Sequence, residues 1–401
     1  MLIRERPPLH LAYGSNVFSG ESWTDHFAAL RDHLPALRGR LGRAQPMGVG
    51  LRLGAQAAEE LAAPSRLRAF RDFLRTAGLY VFTVNAFPYG RFHGARVKEQ
   101  VYAPDWRTAE RLDYTLRCAD LLAALLPEGV GGSISTVPGS FKPWIESEAD
   151  VQRMETNLLA CADALAALRA RTGRSICLAL EPEPGCFVET TEETERFFCG
   201  RLQSGAAGRE HLGVCLDTCH AAVQFEDPSE SLARLRNAGI RIAKVQLSAA
   251  LETDDSPAAL DSLAACDEPV YLHQAVLRRG DGSRQAWLNL PEAIESIAAE
   301  RPPARGPGAP CAAPDLKAAL RTHFHVPLYW SGTPALRSTA RVLTPAFWRR
   351  VQSGVTEHLE IETYTWAVLP ADVRAASLDE HLTAEYRCAI EQLRLHSPDS
   401  R

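Results

Sequence analysis

The sequence predicts a closed (β/α)8 barrel, a TIM barrel of the α/β class, and three observations point to it. Short apolar runs, several rich in Val and Ile, alternate with amphipathic helical stretches over most of the 401 residues, which implies parallel strands joined by right-handed crossovers. The strand-like runs number eight. Several end in a carboxylate or an amide, as strands do where chemistry collects at the C-terminal rim of such a barrel. A doubly wound open sheet is the runner-up for the same pattern.

The strands are read at His10–Tyr13, Gly48–Leu53, Tyr80–Asn85, Gly132–Val137, Ile176–Glu181, Gly213–Asp217, Ile242–Leu247 and Leu359–Thr363, each a brief apolar run. Helices are read over 22–38, opening at Ser22, and over 105–126, opening at Asp105 and stopping before Pro127-Glu128-Gly129. A third runs over 146–172 to a stop at Gly173, and a fourth over 190–202 opens on Thr190-Thr191-Glu192-Glu193. A Ser, Thr or Asp at a helix start lends an oxygen to the free N–H groups there, and Gly at the end takes the left-handed backbone that closes the last turn.

One interval breaks the rhythm. More than a hundred residues separate Leu247 from Leu359, where one barrel unit takes about 30. A long insertion is therefore placed at 249–322, between the last two barrel strands. It holds a hairpin turning at Gly280-Asp281-Gly282 and a Pro-rich loop near 301–314 (RPPARGPGAPCAAP), expected to be mobile. Residues 370–401 are expected to form a helical tail packed back on the barrel, with 1–401 a single domain.

Apolar residues make up 46% and charged residues 23%, the balance of a soluble globular protein. The 44 Lys and Arg against 49 Asp and Glu leave a net charge of −5, which argues against a chain held to nucleic acid or an anionic membrane by phosphate contacts. The opening MLIRERPPLHLAYG has no apolar core behind its basic residues, so no secretory signal is expected. The longest apolar run, LLAALL at 121–126, is far short of the roughly 18 residues that span a bilayer, so no direct membrane insertion is expected. Ten cysteines without a CxxC pair read as reduced, mostly buried thiols of a cytoplasmic protein.

The strand ends carry the chemistry. The fifth gives Glu181, stopped by Pro182; the sixth gives Asp217 and, three residues on, His220; the seventh gives Gln246. On the eighth, Glu360 and Glu362 share one face by alternation. Alone, each acid reads equally well as a salt bridge or a helix cap, and Asp217 in particular could cap through Thr218. Together they differ: Asp217 follows Glu181 by 36 residues and Gln246 follows Asp217 by 29, so successive strands deliver them to adjacent points of one rim. Oxygens converging there repel unless a cation sits among them. Glu181, Asp217, Gln246 and Glu362 are thus the candidate ligands of one divalent ion, Mn, Mg or Zn. His323 and His325 share one face of THFHVPL, either as metal- or substrate-directed rings or as a hydrogen-bonded edge pair; His220 is placed at metal or substrate, and His273 is open. Asn85, His93, Arg96 and Lys98 follow the third strand, and Ser135, Thr136, Lys142 and Trp144 the fourth, loops that suit a polyhydroxylated or anionic small molecule. Glu183 and Glu189 read as ordinary loop carboxylates.

The runs LALEPEP, GVCLDTCH, KVQLS and LEIET resemble the xylose-isomerase-like barrel superfamily, the sugar-phosphate isomerase/epimerase and endonuclease IV group. GVCLDTCHA resembles the endonuclease IV strand whose Asp and His are both zinc ligands, which implies those roles for Asp217 and His220. The Glu, Asp, Gln, Glu series is more similar to isomerases that use one divalent ion. More narrowly, GESW, VNAFPYGRFHGARVKEQVY, STVPGSFKPW, EPEPGCF, HFHVP and LEIETYTW resemble the EboE family of metabolite traffic proteins, which implies membrane partners in moving or maturing a secondary metabolite. The early histidines of endonuclease IV have no counterpart here, since the fourth strand ends in STVPG.

The expectation is a metal-dependent isomerase or epimerase acting on a hydroxy-carbonyl metabolite, with Glu181 and Glu362 exchanging a proton and His220, His323, His325, His93, Lys98 and Lys142 facing the substrate. A non-catalytic binding or maturation partner of a membrane export system is the alternative, and an endonuclease-type phosphodiesterase the third reading.

Overall fold

The computed structural model describes residues 1–397 apart from 43, 94–95, 204, 301–317, 367–368, 370–373 and 375–376. The Pro-rich loop and part of the tail therefore lie outside the described residues. A hairpin of β1 (Leu2–Glu5) and β2 (Pro8–Tyr13) opens the chain. Six strands follow with helices between them: β3 (Met47–Arg52), β4 (Leu79–Asn85), β5 (Gly132–Thr136), β6 (Ile176–Leu180), β7 (Leu212–Asp217) and β8 (Ile242–Leu247). The insertion carries β9 (Ala249–Thr253), β10 (Ala275–Arg278), β11 (Arg284–Trp287), β12 (Ala319–Val326) and β13 (Arg337–Ser338), after which β14 (His358–Ile361) returns to the barrel.

The main sheet runs β1-β2-β14-β8-β7-β6-β5-β4-β3. All its ladders are parallel except the terminal β1–β2 pair. Between β2 and β3 the ring is joined by a single parallel bridge, Gly14 to Gly50, so the barrel is nearly closed. The chain is an α/β barrel. The open-sheet alternative fails because β14 pairs with both β2 and β8, bringing first and last strands together.

The strands are buried on both faces, as a sheet covered by crossover helices requires. β2, β3, β5, β6, β7, β8 and β14 are buried along almost every residue. Crowding at the barrel axis explains two glycines of β3. A Cβ on Gly48 would lie 2.6 Å from Phe82, and one on Gly50 only 1.9 Å from Glu360 Oε1. Here the absent side chain, rather than backbone freedom, is what the site needs.

The helices begin and end where local chemistry predicts. Ser22 Oγ accepts the N–H of Asp25 at the head of Trp23–Leu41, and Gly42 closes it at φ 62°. Ser147 and Asp150 form a capping box for Glu148–Thr172, which stops at Gly173 with φ 71°. The helix Leu378–Leu395 buries Leu382, Tyr386 and Leu393 and packs against Trp23–Leu41. Burying each such side chain stabilises by about 1.5–3 kcal/mol.

The insertion is more than a hairpin. β10 and β11 pair as expected, but they belong to a second, antiparallel sheet in the order β11-β10-β12-β9-β13, which continues past residue 322 as far as Ser338. The run THFHVPL, read as an isolated extended segment, is a central strand of that sheet. Pairing across roughly seventy residues leaves no local sequence signal, which is why the sheet escapes periodicity. Among the described residues no helix is long and apolar enough to cross a membrane, and nine cysteines are free, most of them buried; Cys311 lies outside the described residues.

Candidate metal centre

Three strand ends deliver carboxylates to one mouth of the barrel. β6 stops at Leu180, and Glu181 is the next residue, its N–H bonded to the Thr136 carbonyl at 3.1 Å. Asp217 ends β7. Glu362 follows β14, held by its N–H to the Leu247 carbonyl at 3.0 Å. All three side chains are buried, and one carboxylate oxygen from each lies within 4.8 Å of the others.

One oxygen of Asp217 and one of Glu362 are engaged by the protein. Asp217 Oδ1 accepts the N–H groups of Cys219 (2.6 Å) and His220 (3.1 Å) and the Ser248 hydroxyl (2.6 Å). Glu362 Oε1 accepts Asn16 Nδ2 at 2.7 Å and Asn85 Nδ2 at 3.2 Å. Glu181 Oε1 lies 3.9 Å from His220 Nδ1. The second oxygens, Glu181 Oε2, Asp217 Oδ2 and Glu362 Oε2, are buried with no hydrogen-bond donor. Asp217 thus does both things its position allows: one oxygen caps the turn Thr218–Val223 and the other is free.

Buried carboxylates without donors favour their neutral form. Burial, with Asp217 adding and His220 opposing, pushes Glu181 up to about 8. Burial and the charges of Glu181 and Asp217 push Glu362 well above the carboxylate range. A divalent cation among the free oxygens offsets the same repulsion without protonation. An all-oxygen donor set suits Mg2+ or Mn2+, and Zn2+ also accepts it. The residues present therefore fit one divalent ion.

Beside the carboxylates lies a cavity of about 60 Å³, lined by Glu181, Glu183, Glu362, Asn16, Asn85, His220, His323, His325 and Lys98. That is room for a few water-sized groups. Phe92, Tyr271 and Tyr364 pack together along one wall, with ring centroids 5.1–5.6 Å apart.

The family model described as xylose isomerase-like TIM barrel matches residues 49–278. The chain belongs to that family. No curated protein matches it significantly. Similar solved structures include the IolI protein with a bound zinc atom, at 13% identity over 97% of this chain and 100% of that one, TM-score 0.49. A xylose isomerase domain protein from Alicyclobacillus acidocaldarius shares 14% identity over 97% and 99% of the two chains, TM-score 0.49. The probable 3-DHS dehydratase AsbF from Bacillus anthracis shares 12% over 95% and 98%, TM-score 0.44. At these identities the likeness concerns the fold alone.

Within this xylose isomerase-like barrel, the strand-end rule finds Glu181, Asp217 and Glu362 together and Glu360 elsewhere. Glu360 lies deeper, where its Oε2 meets Lys244 Nζ at 2.5 Å, both side chains fully buried. Gln246 is in register with Asp217 and Glu360. Its Oε1 accepts the Cys215 thiol at 3.0 Å while its Nε2 has no partner. As oriented, Gln246 is therefore no oxygen donor to an ion; turning the amide over would exchange the two atoms. The Cys215 thiol favours the orientation seen.

His220, His323, His325 and Lys98 line the cavity. Lys98 adopts φ 44°, and its Nζ lies 3.3 Å from Asn289 Oδ1 of the insertion. Lys142 and His93 correct the expectation that they face the substrate. Lys142, 44% exposed, pairs with Glu189 and with Glu193 at 3.2 Å; it belongs to the solvated outside of its loop. His93 faces Glu21 at 3.6 Å and leaves its neighbour Phe92 to line the cavity. His273 is also structural, its ring stacked on Phe324 at 3.9 Å and bonded to Glu268.

Asn85, named from the sequence as a ligand-facing residue, ends β4 as Asp217 ends β7, lines the cavity and also donates to Glu362. Two site residues escaped the sequence. Asn16 lies beyond the end of β2 in a turn with no pattern. Glu183 is buried against the cavity, accepting Tyr102 Oη at 2.8 Å and Gln274 Nε2 at 3.0 Å; two residues past a strand end, nothing local separates it from a surface acid.

Proposed function

We propose that this chain is a divalent-cation-dependent isomerase or epimerase acting on a small hydroxy-carbonyl compound. The observation that carries the reading is that Glu181, Asp217 and Glu362 bring carboxylate oxygens within 4.8 Å of one another beside a cavity, each acid keeping one buried oxygen without a donor. A divalent ion bound there supplies Lewis-acid polarisation of adjacent carbonyl and hydroxyl oxygens.

The protein's own groups do the rest. Glu181, which lines the cavity, would take a proton from carbon and return it, the bound ion keeping its carboxyl ionised against the burial that otherwise favours the acid form. Glu362 is the partner acid, and Asn16 and Asn85 hold its Oε1 so that Oε2 stays turned toward Glu181 and Asp217. Lys98 and Glu183 supply a cation and an acceptor for substrate hydroxyls or an acidic group. The Phe92, Tyr271 and Tyr364 wall excludes water, which would otherwise compete for the transferred proton.

The EboE resemblance supports a substrate drawn from secondary metabolism, received from or passed to a membrane partner, in the cytoplasm. The test is solvent exchange. Protein loaded with Mn2+ is incubated in D2O with a panel of small hydroxy-ketones and hydroxy-aldehydes, and deuterium is read at carbon by NMR. Incorporation that disappears in Glu362→Gln, with the fold intact by circular dichroism, is the expected result. Full incorporation in that variant overturns the mechanism, and tight binding without incorporation by the wild type favours a non-catalytic metabolite holder.

A further inference from the structure

Lys98 lines the cavity and is only 8% exposed. Among the described residues of that lining it is the one lysine or arginine. A lysine buried to this degree ordinarily has a counter-ion. Lys244 has Glu360 at 2.5 Å, and Lys142 has Glu189. Lys98 has the Asn289 amide oxygen at 3.3 Å, and no carboxylate pairs with it among the described residues. One neutral acceptor serves one of three ammonium protons and compensates none of the charge.

The acids of the cavity are committed elsewhere. Glu183 accepts Tyr102 Oη and Gln274 Nε2, while Glu181, Asp217 and Glu362 converge on one another.

The chain nevertheless holds the lysine in place against its own preference. Lys98 takes φ 44°, the left-handed region that a residue with a side chain adopts at a cost. The N–H groups of Val97 and Lys98 both donate to the Val270 carbonyl of the insertion, at 2.9 and 3.0 Å. Asn289, just before the helix Leu290–Ala299, is fixed in turn. Its Oδ1 accepts the His273 N–H at 3.1 Å as well as the ammonium, and two donors forbid the turned-over amide. Strain maintained by bonds from a second segment marks a side chain positioned for use.

We propose that Lys98 anchors the anionic end of the substrate, a carboxylate, which makes the ligand a short hydroxy-oxo acid rather than a neutral sugar. The proposal deepens the isomerase reading and rests on it for the ligand's other end, where hydroxyl and carbonyl meet the ion. A ligand hydroxyl would leave the charge uncompensated, as Asn289 already does. Phosphate recognition draws on guanidinium forks or clusters of backbone N–H groups. No arginine is among the described residues lining the cavity, and the N–H groups of Val97 and Lys98 are spent on Val270. A single ammonium suits a carboxylate, and a cavity of about 60 Å³ limits the acid to a few carbons. Asn289 is a positioning residue for Lys98.

Three matched probes test this on the full chain loaded with Mn2+: 3,4-dihydroxybutanoate, its neutral amide, and glycerol phosphate. All carry the same vicinal diol for the ion and none can isomerise. Titration calorimetry therefore reads the anchor apart from the deuterium-exchange test of the isomerase reading. The wild type is expected to bind the acid about 10–100-fold tighter than the amide, the usual worth of a charge-assisted hydrogen bond, and tighter than the phosphate. Lys98→Met and Lys98→Gln should bring the ratio of acid to amide affinity close to one, and Lys98→Arg should restore part of it. Without ligand, Lys98→Met should melt at or above the wild-type temperature, because it removes a buried charge; a lysine kept for structure would give a lower midpoint. Equal affinity for acid and amide in the wild type, a preference that survives without Lys98, tighter binding of the phosphate, or binding of none of the three overturns the anchor. Deuterium exchange without the preference leaves the isomerase reading standing alone, and the preference without exchange leaves the anchor standing alone.

Discussion

Asn16 Nδ2 donates to Glu362 Oε1 at 2.7 Å, across 346 positions of sequence. The bond joins the segment after the first barrel strand to the segment after the last, just beyond the end of the parallel β2–β14 ladder. It also leaves Glu362 Oε2 as that acid's only free oxygen.

Asn16→Ala is expected to weaken binding of Mn2+ by about 10–100-fold, the usual effect of removing a group that orients a ligand. Titration calorimetry on wild type and variant checks it. The thermal midpoint should move little, and an unchanged affinity would separate Asn16 from the site.

The Lys244–Glu360 pair sits in the dry interior, with Ser135 Oγ 3.0 Å from the ammonium. Lys244→Met strands a buried carboxylate and is expected to destabilise by about 3–5 kcal/mol in urea denaturation. Lys244→Met/Glu360→Leu, which removes both charges, should recover most of that loss. A double variant as unstable as the single would refute the account.

Gly50→Ala places a methyl group 1.9 Å from Glu360 Oε1. Overpacking of this kind costs about 1–3 kcal/mol, so a lower unfolding midpoint is expected. Gly39→Ala, on a helix where a Cβ meets nothing within 4 Å, is the control and should be neutral or slightly stabilising.

Glu385 is buried beneath the site, accepting the Leu328 N–H at 2.6 Å and the Thr363 hydroxyl at 3.1 Å. Burial pushes its carboxyl from 4.5 up to about 8, against those two bonds. The folded state then holds a proton that the unfolded state has released, so this residue's contribution to stability falls as pH rises from 4.5 to 8. Glu385→Gln removes the dependence. It should match the wild type near pH 4.5 and exceed it in stability by a margin that grows up to pH 8 and then levels off, as urea melts at several pH values would show. A margin that shrinks with pH contradicts this.

The barrel was legible because each stave is local. Eight runs of four to seven residues, buried on both faces, leave the apolar signature of a parallel sheet, which the pairing of β14 with β2 then closes, and Ser22, Ser147, Gly42 and Gly173 mark helix ends through bonds made within a few residues. Glu181, Asp217 and Glu362 were legible for the same reason: a charged residue directly after a buried strand is conspicuous. Glu360 looked identical to Glu362 because alternation tells only the face, and which of two inward acids meets Lys244 depends on depth along the barrel axis.

The antiparallel sheet of the insertion, the meeting of His220, His323 and His325 and the two asparagines on Glu362 belong to the tertiary structure alone. His323 and His325 announced a shared face, but their meeting with His220 depends on β12 pairing with β9 and β10 over long intervals and on the inserted sheet lying across the barrel mouth. Periodicity records what a residue needs from its neighbours in the chain. Which side chains face each other across a hundred residues is set by closure of the ring and docking of the second sheet, and no short window of sequence carries that information.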